Sequence, residues 1–442
     1  MRRAVLTILL LTALLHLPSP AQTPRAEPTP AYGSDVSYAE ILSPPLPVSA
    51  RMPLALTSET ERTNYVTFGA EVSAGFDDNA LSTADHRVSD VSYLFAPSLD
   101  LRLNRERWSW DAAYSPGFTV SQKFDQHNQS SQNLLSTLDL RLSPHVGVSV
   151  REGFQQTNSL FSGLVGSSPS ASAAPLQTMN TTVVTPFANF MANQSAVDLN
   201  YQFSASSLVG ASGNYNFLNY AEVAGTSEGL IDSRSVGGDA FYGHRLESRQ
   251  WIGVMYNFQR LTFDPGSRTT VHRTLLFYSI PFGAHAALSL WGGPEYSITP
   301  ALATGKDRWS GAGGAAFSVE WARTALRAEF GRQISDGGGI AEAVTQQHVE
   351  SEVMYRFMAR WTASLGLGYA ENDPLDRLLA SPFRGWSGTC AIDYRLTDHL
   401  SFGAGYAREH QKYFDTAYYS SPLNRNRVTF SIAYSFARPI GR

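Results

Sequence analysis

Between Tyr65 and Phe436 the chain returns again and again to one period, and that period is two. In the segment that opens it, Val66, Phe68, Ala70, Val72, Ala74 and Phe76 are apolar, while Thr67, Gly69, Glu71, Ser73 and Gly75 stand between them. Successive side chains of an extended strand point to opposite faces, so this is a strand with one apolar and one polar face. The pattern recurs in Trp108, Trp110, Ala112 and Tyr114 around Ser109 and Asp111, and in Val197, Leu199, Tyr201 and Phe203 around Asp198, Asn200 and Gln202. It closes with Val428, Phe430, Ile432, Tyr434 and Phe436. About eighteen such segments are expected, within 16–20, running from 63–76 through 133–142, 194–203, 311–321 and 343–356 to 426–436.

The connections between them alternate. Those at 77–90, 122–132, 157–193, 219–233, 294–310, 371–384 and 409–425 are long and polar, with shorter members near 261–268 and 335–342. The intervening ones are brief, as at Asn104-Arg105-Glu106, Ser143-Pro144-His145, Pro281-Phe282-Gly283 and Thr397-Asp398. A strict long–short rhythm is that of an up-and-down barrel whose tight turns share one rim and whose loops share the other. Composition agrees. Charged residues are 16% of the chain and aromatics 12%, against about 25% charged in an ordinary soluble domain. The fold class expected is therefore all-β, a transmembrane up-and-down antiparallel barrel.

The N-terminus sets the compartment. Arg2 and Arg3 precede an apolar run from Ala4 to Leu15, which breaks at Pro18-Ser19-Pro20-Ala21. The run falls short of the ~20 residues that cross a bilayer, and small residues stand where a signal peptidase cuts. Residues 1–21 are expected to be a cleaved signal peptide, 22–60 a Pro-rich periplasmic linker, and 61–442 the barrel, in the outer membrane of a Gram-negative cell with its N-terminus periplasmic. Loss of Arg2 and Arg3 leaves 32 basic against 38 acidic residues, which is no nucleic-acid footprint. Cys390 is the single cysteine, so the chain has no internal disulfide.

Charges that fall on the polar face are the candidate pore-lining residues: Glu71, Asp100, Arg102, Asp111, Asp139, Arg141, Asp198, Asp239, Arg273, Arg327, Glu329 and Glu350. A wet lumen solvates such groups, and they either bias which solutes pass or tie the wall together as cross-strand pairs. Loop 157–193, long and partly apolar, either folds into the lumen and narrows it or lies outside. Glu152 breaks the pattern by falling among Val146, Val148, Val150 and Phe154 on the apolar face, so either a bulge resets the register there or it lies near the membrane interface.

Catalysis and metal binding find little support. His272-x-Thr274 and the looser His244 and Ser248 have no evident oxyanion donor near them. His348, Glu350 and Glu352 share a strand face but spread too far for one ion, and Asp77-Asp78-Asn79 suits the opening of a loop better than a calcium site. No enzyme activity, cofactor or metal is expected.

Gly75-Phe76-Asp77-Asp78-Asn79 at the end of the first strand, and Val428-x-Phe430-x-Ile432-x-Tyr434-x-Phe436 in the last, resemble the β-barrel porin-2 family of outer-membrane proteins. That resemblance implies a porin-like barrel and, through some members, an association with exopolysaccharide export. The last strand also resembles the signal that the barrel-assembly machinery reads, although Ala437 to Arg442 follow the aromatic on which that signal ends. The function expected is a passive channel or conduit for small polar or saccharide-like solutes, with outer-membrane lipids around it. A non-conducting surface-interaction barrel and, further off, a lipid hydrolase are the rivals.

Overall fold

A computed structural model describes residues 64–83, 86–124, 128–158, 188–221, 230–246, 250–264, 266–283, 285–300, 307–376, 380–413 and 422–440. The expected signal peptide and linker, and residues 159–187 of the long loop, lie outside them.

Eighteen strands form one sheet: β1 (Tyr65–Asp77), β2 (Asp90–Asn104), β3 (Trp108–Ser121), β4 (Gln129–Ser143), β5 (Val146–Asn158), β6 (Asn189–Gln202), β7 (Ser207–Ala221), β8 (Ser233–Arg245), β9 (Trp251–Phe263), β10 (Arg268–Phe282), β11 (Ala286–Ile298), β12 (Arg308–Glu320), β13 (Thr324–Gly337), β14 (Ala341–Met358), β15 (Trp361–Pro374), β16 (Phe383–Arg395), β17 (Leu400–Tyr413) and β18 (Leu423–Pro439). Each pairs antiparallel with its sequence neighbours, and β1 pairs with β18 from Tyr65↔Pro439 to Asp77↔Arg427. The sheet is thus a closed up-and-down barrel. Closure satisfies the wall's backbone donors and acceptors without water, the condition for sitting in hydrocarbon.

The even connections are two to five residues long and share one rim; the odd ones share the other. We call these the short-turn and long-loop rims. Gly283, with φ 66°, makes the tight reversal after β10, a backbone state that a side chain disfavours. Several strands run beyond their expected ends at the long-loop rim, β11 to Ile298 rather than 293 and β6 from Asn189 rather than 194. There the alternation falters in sequence: Pro294 opens the added part of β11, and Asn189 and Asn193 take the parity of Val197 and Leu199 on β6.

The outer face is the apolar one. Phe68, Val72, Tyr93, Val197, Leu276, Ile392, Phe430 and Ile432 are all exposed on it. Aromatic rings cluster on it towards both rims: Tyr296–Trp309 with centroids 4.9 Å apart and His272–Phe258 at 5.3 Å near the long loops, and Trp361–Tyr394 at 4.6 Å near the short turns. Two such girdles flanking an apolar band are the outer surface of a membrane-spanning barrel. Cys390 belongs to this face and is exposed. Glu152 does too, and here one alternative fails: the β4–β5 register is unbroken past it, Ser136↔Glu152, and shifts only between Arg141 and Ser143. No bulge turns Glu152 inward.

Candidate functional site

The inner face is divided, and the division begins with β13. Its ladder with β12 ends at Gly313↔Arg332, while its ladder with β14 continues to Gly337↔Ala341. From Ile334 onward β13 has therefore left β12, while β14 stays paired with β15 as far as Val344↔Pro374. The residues of the β13–β14 hairpin explain why it turns inward. Ile334 and Ala343 are buried against Leu261, Phe263 and Val271, which project inward from β9 and β10, with Ile231 and Leu375 packed alongside. Ala341 and Val344 pack on Phe383 of β16. Gly338 and Gly339, at φ 61° and 86°, turn the tip. The tip reaches the β7–β8 side: the Tyr220 hydroxyl donates to the Gly338 carbonyl at 3.0 Å, the Ile231 N–H to that of Gly339 at 2.8 Å, and the Ser233 hydroxyl to Asp336 at 3.2 Å. Strands β9 to β12 lie between these two places in the ring, so the hairpin spans part of the lumen.

An ion pair holds its root. Arg273 of β10 and Glu295 of β11 meet at 2.7 Å, with 6% and 0% of their side chains exposed. The Arg273 guanidinium also donates to Asn257 at 2.7 Å, Gln259 at 3.2 Å and the Ile334 carbonyl at 2.5 Å. Glu295 accepts in turn from the Ile334 N–H at 3.0 Å and the Ser310 hydroxyl at 2.8 Å. Thus the pair grips both backbone groups of the residue at which β13 loses its β12 partner. Desolvating two charges is costly, and such a pair is tolerated when its hydrogen bonds are filled, as these are.

Below the hairpin the same wall is dry. Leu208, Phe241, Met255, Leu275, Phe277 and Ala312 form a buried inward cluster with Trp251 and Trp291 against it. A polar inner face is the expectation for this wall too, and it does not hold. The signal was present: Phe241-Tyr242 and Leu275-Leu276-Phe277-Tyr278 are apolar at both parities, as in a strand buried on both sides.

The other arc, from β2 to β6, keeps its charges more open to solvent, beside one small apolar cluster of Ala80 and Leu94 packed by Ala96 and Phe124. Arg102 and Asp111 pair at 2.7 Å with 33% and 50% of their side chains exposed, and Arg151 pairs with Asp198 at 2.5 Å. Asp139 and Arg141 are exposed as well. At the seam Arg425 meets Asp77 at 2.7 Å, Arg427 meets Glu409 at 2.5 Å, and Arg425 donates to the Ser82 hydroxyl at 3.0 Å. Here Asp77-Asp78-Asn79 ties the first loop to the last strand: Asp78 accepts from the backbone N–H of Asn426 at 2.6 Å and Asn79 donates to the Asn424 carbonyl at 3.0 Å.

All twelve expected lumen residues lie on the inner face, but in different settings. Glu71 stands opposite Ala433 and Ala96, and Asp100 opposite Ala113. Asp239 is held by Ser212 at 2.8 Å and Asn257 at 2.5 Å. Glu329 and Glu350 are register partners beside His348, which lies 3.6 Å from Glu329, and Arg327 faces Glu352. Arg273 is enclosed beneath the hairpin. Glu295 and Arg425 have no place among the expected residues because they fall in stretches that the alternation assigns to loops, whereas Arg427 lies inside the expected strand 426–436, one residue before the run from Val428 to Phe436.

His272 sits on the outer face among Tyr256, Phe258 and Tyr296, its ring bonded to the Tyr256 hydroxyl at 2.8 Å. His244 bonds the Ser207 hydroxyl at 2.8 Å, and Ser248 lies outside the described residues. Among the described residues no group of three or more His, Cys, Asp or Glu is placed to hold a metal ion.

No family model matches the chain, and no curated protein matches it. Solved structures of similar form exist. Pseudomonas aeruginosa OccK2 (OpdF) is 10% identical over 84% of this chain and 98% of its own, with a TM-score of 0.44. Acinetobacter baumannii OccAB4 is 10% identical over 85% and 99%, at 0.43. The Pseudomonas aeruginosa outer membrane protein OpdK is 10% identical over 84% and 99%, at 0.42. No residue's role is carried from them to this chain.

Proposed function

We propose that this barrel is an outer-membrane channel for small polar solutes, with the N-terminus and short turns periplasmic and the long loops outside. The observation that carries the reading is the exposure of Arg102 and Asp111, 33% and 50%, inside a closed wall. Charges left that open face water, and a column of water through an apolar outer band is a path for hydrophilic solutes. Solutes would move along the charged arc of β2 to β6, while the β13–β14 hairpin and the dry patch narrow the opposite side. Carboxylates and guanidiniums in one passage favour hydroxyl-rich or zwitterionic solutes over apolar ones, and we include saccharides in that class. We further propose that β18 serves as the strand read by the barrel-assembly machinery.

Single-channel recording in a planar bilayer tests the reading. A stable ohmic current is expected, together with liposome swelling in sugars and amino acids. Purified, folded barrels that insert but never conduct would sink it.

A further inference from the structure

The outer face is not apolar everywhere. On β4, β5 and β6 the side chains Gln132, Ser136, Glu152, Gln156, Asn193 and Ser195 point the same way as Leu138, Val150 and Val197. Ser136, Glu152 and Ser195 form one row across the three strands, and Glu152 is the seventh of the 13 residues of β5. A tilted strand of that length rises about 30 Å, so the row lies near the middle of the hydrocarbon. Away from this patch, on β1, β16 and β18, the outer face carries Val72, Ile392, Phe430 and Ile432 and is apolar.

Lipid tails offer no hydrogen bond, so a carboxylate and several amides in mid-membrane call for a polar partner. Part of the demand is met locally: Asn193 donates to Glu152, Ser195 donates to Asn193 at 3.0 Å, and Trp110 donates to Ser136 at 2.9 Å. A carboxylate accepts about four hydrogen bonds, and the described residues give Glu152 one. We propose that this patch is where a second copy of the chain docks. Its composition suits a two-fold contact, in which one surface meets itself. Amides and hydroxyls that donate and a carboxylate that accepts are complementary to their own rotated image, and they are embedded at the depth where another barrel, not a headgroup, lies alongside. The proposal rests on the membrane-spanning reading of the barrel and is independent of conduction.

The test is disulfide trapping in native outer membranes, with Cys390→Ala removing the natural thiol. Ser195→Cys in that background should give a covalent dimer on oxidation, whereas Val72→Cys, on β1 and outside the patch, should not. In lipid nanodiscs the unaltered protein should have the mass of two chains, Glu152→Gln should keep it, and Glu152→Leu should fall to one. No trapping at position 195, equal trapping at 195 and 72, or a single-chain mass for the unaltered protein would each overturn the proposal. If Glu152→Leu fails to fold, the trapping pair decides. Extraction of the protein from membranes by alkaline carbonate would instead refute the spanning reading itself.

Discussion

The inner wall from β2 to β6 and the inner wall from β8 to β13 are built on the same alternating backbone, yet they differ in solvent. On the first, Arg102 and Asp111 pair in water. On the second, Arg273 and Glu295 pair out of it, beneath a hairpin and beside Phe277. The lesson is that the inner face of a wide barrel is not one environment. An element that leaves the wall creates a buried side, and charges there become structural while identical charges across the lumen stay available to solutes.

Four substitutions bear on that contrast, from the largest expected effect to the smallest. Glu295→Ala strands a buried guanidinium and takes the acceptor from the Ile334 N–H, so a loss of about 3–5 kcal/mol is expected. Denaturant titration of the refolded protein measures it, and a loss under ~1 kcal/mol would show that the pair is solvated after all. Phe277→Ala empties the centre of the dry patch, and comparable core truncations cost about 3–5 kcal/mol. The same titration should place it close behind Glu295→Ala, with no change in charge selectivity. Ile334→Ala loosens the hairpin root and should cost about 2–4 kcal/mol while raising single-channel conductance. A stability loss with unchanged current would mean that the hairpin does not border the conducting path. Arg102→Ala, on the wet arc, should cost no more than about 1 kcal/mol. It should nevertheless move the reversal potential in a salt gradient towards cation preference, an effect that fades as salt screens the lumen.

Much of this architecture was legible in the chain. The parity of Val66 to Phe76, repeated through Val428 to Phe436, assigns inside and outside to nearly every strand, and the rhythm of turns gives the direction of each. What parity cannot show is where a strand departs from its neighbour. Nothing in Arg332-Gln333-Ile334 separates a hairpin that stays in the wall from one that bends inward, because that choice depends on Leu261, Phe263 and Val271 from strands distant in sequence. Glu295 and Arg425 were hidden for a related reason. Arg425 sits beyond Val428, the last apolar outward side chain of β18, and Glu295 follows Gly292-Gly293-Pro294, which has the composition of a turn. Glu152 was legible as an anomaly; the unbroken register removes one of its two explanations, a bulge, and its place midway along β5 speaks against the other, a site at the interface.

The pairing of Tyr65–Asp77 with Leu423–Pro439 has a kinetic consequence. The bonds that close the ring, such as Arg425 to Asp77, join residues 348 positions apart. Contacts of such long sequence separation form late. Until the final strand emerges, β1 presents a bare edge able to recruit any extended segment nearby. A chain truncated before residue 423 should therefore aggregate or be degraded rather than insert as a slightly smaller ring.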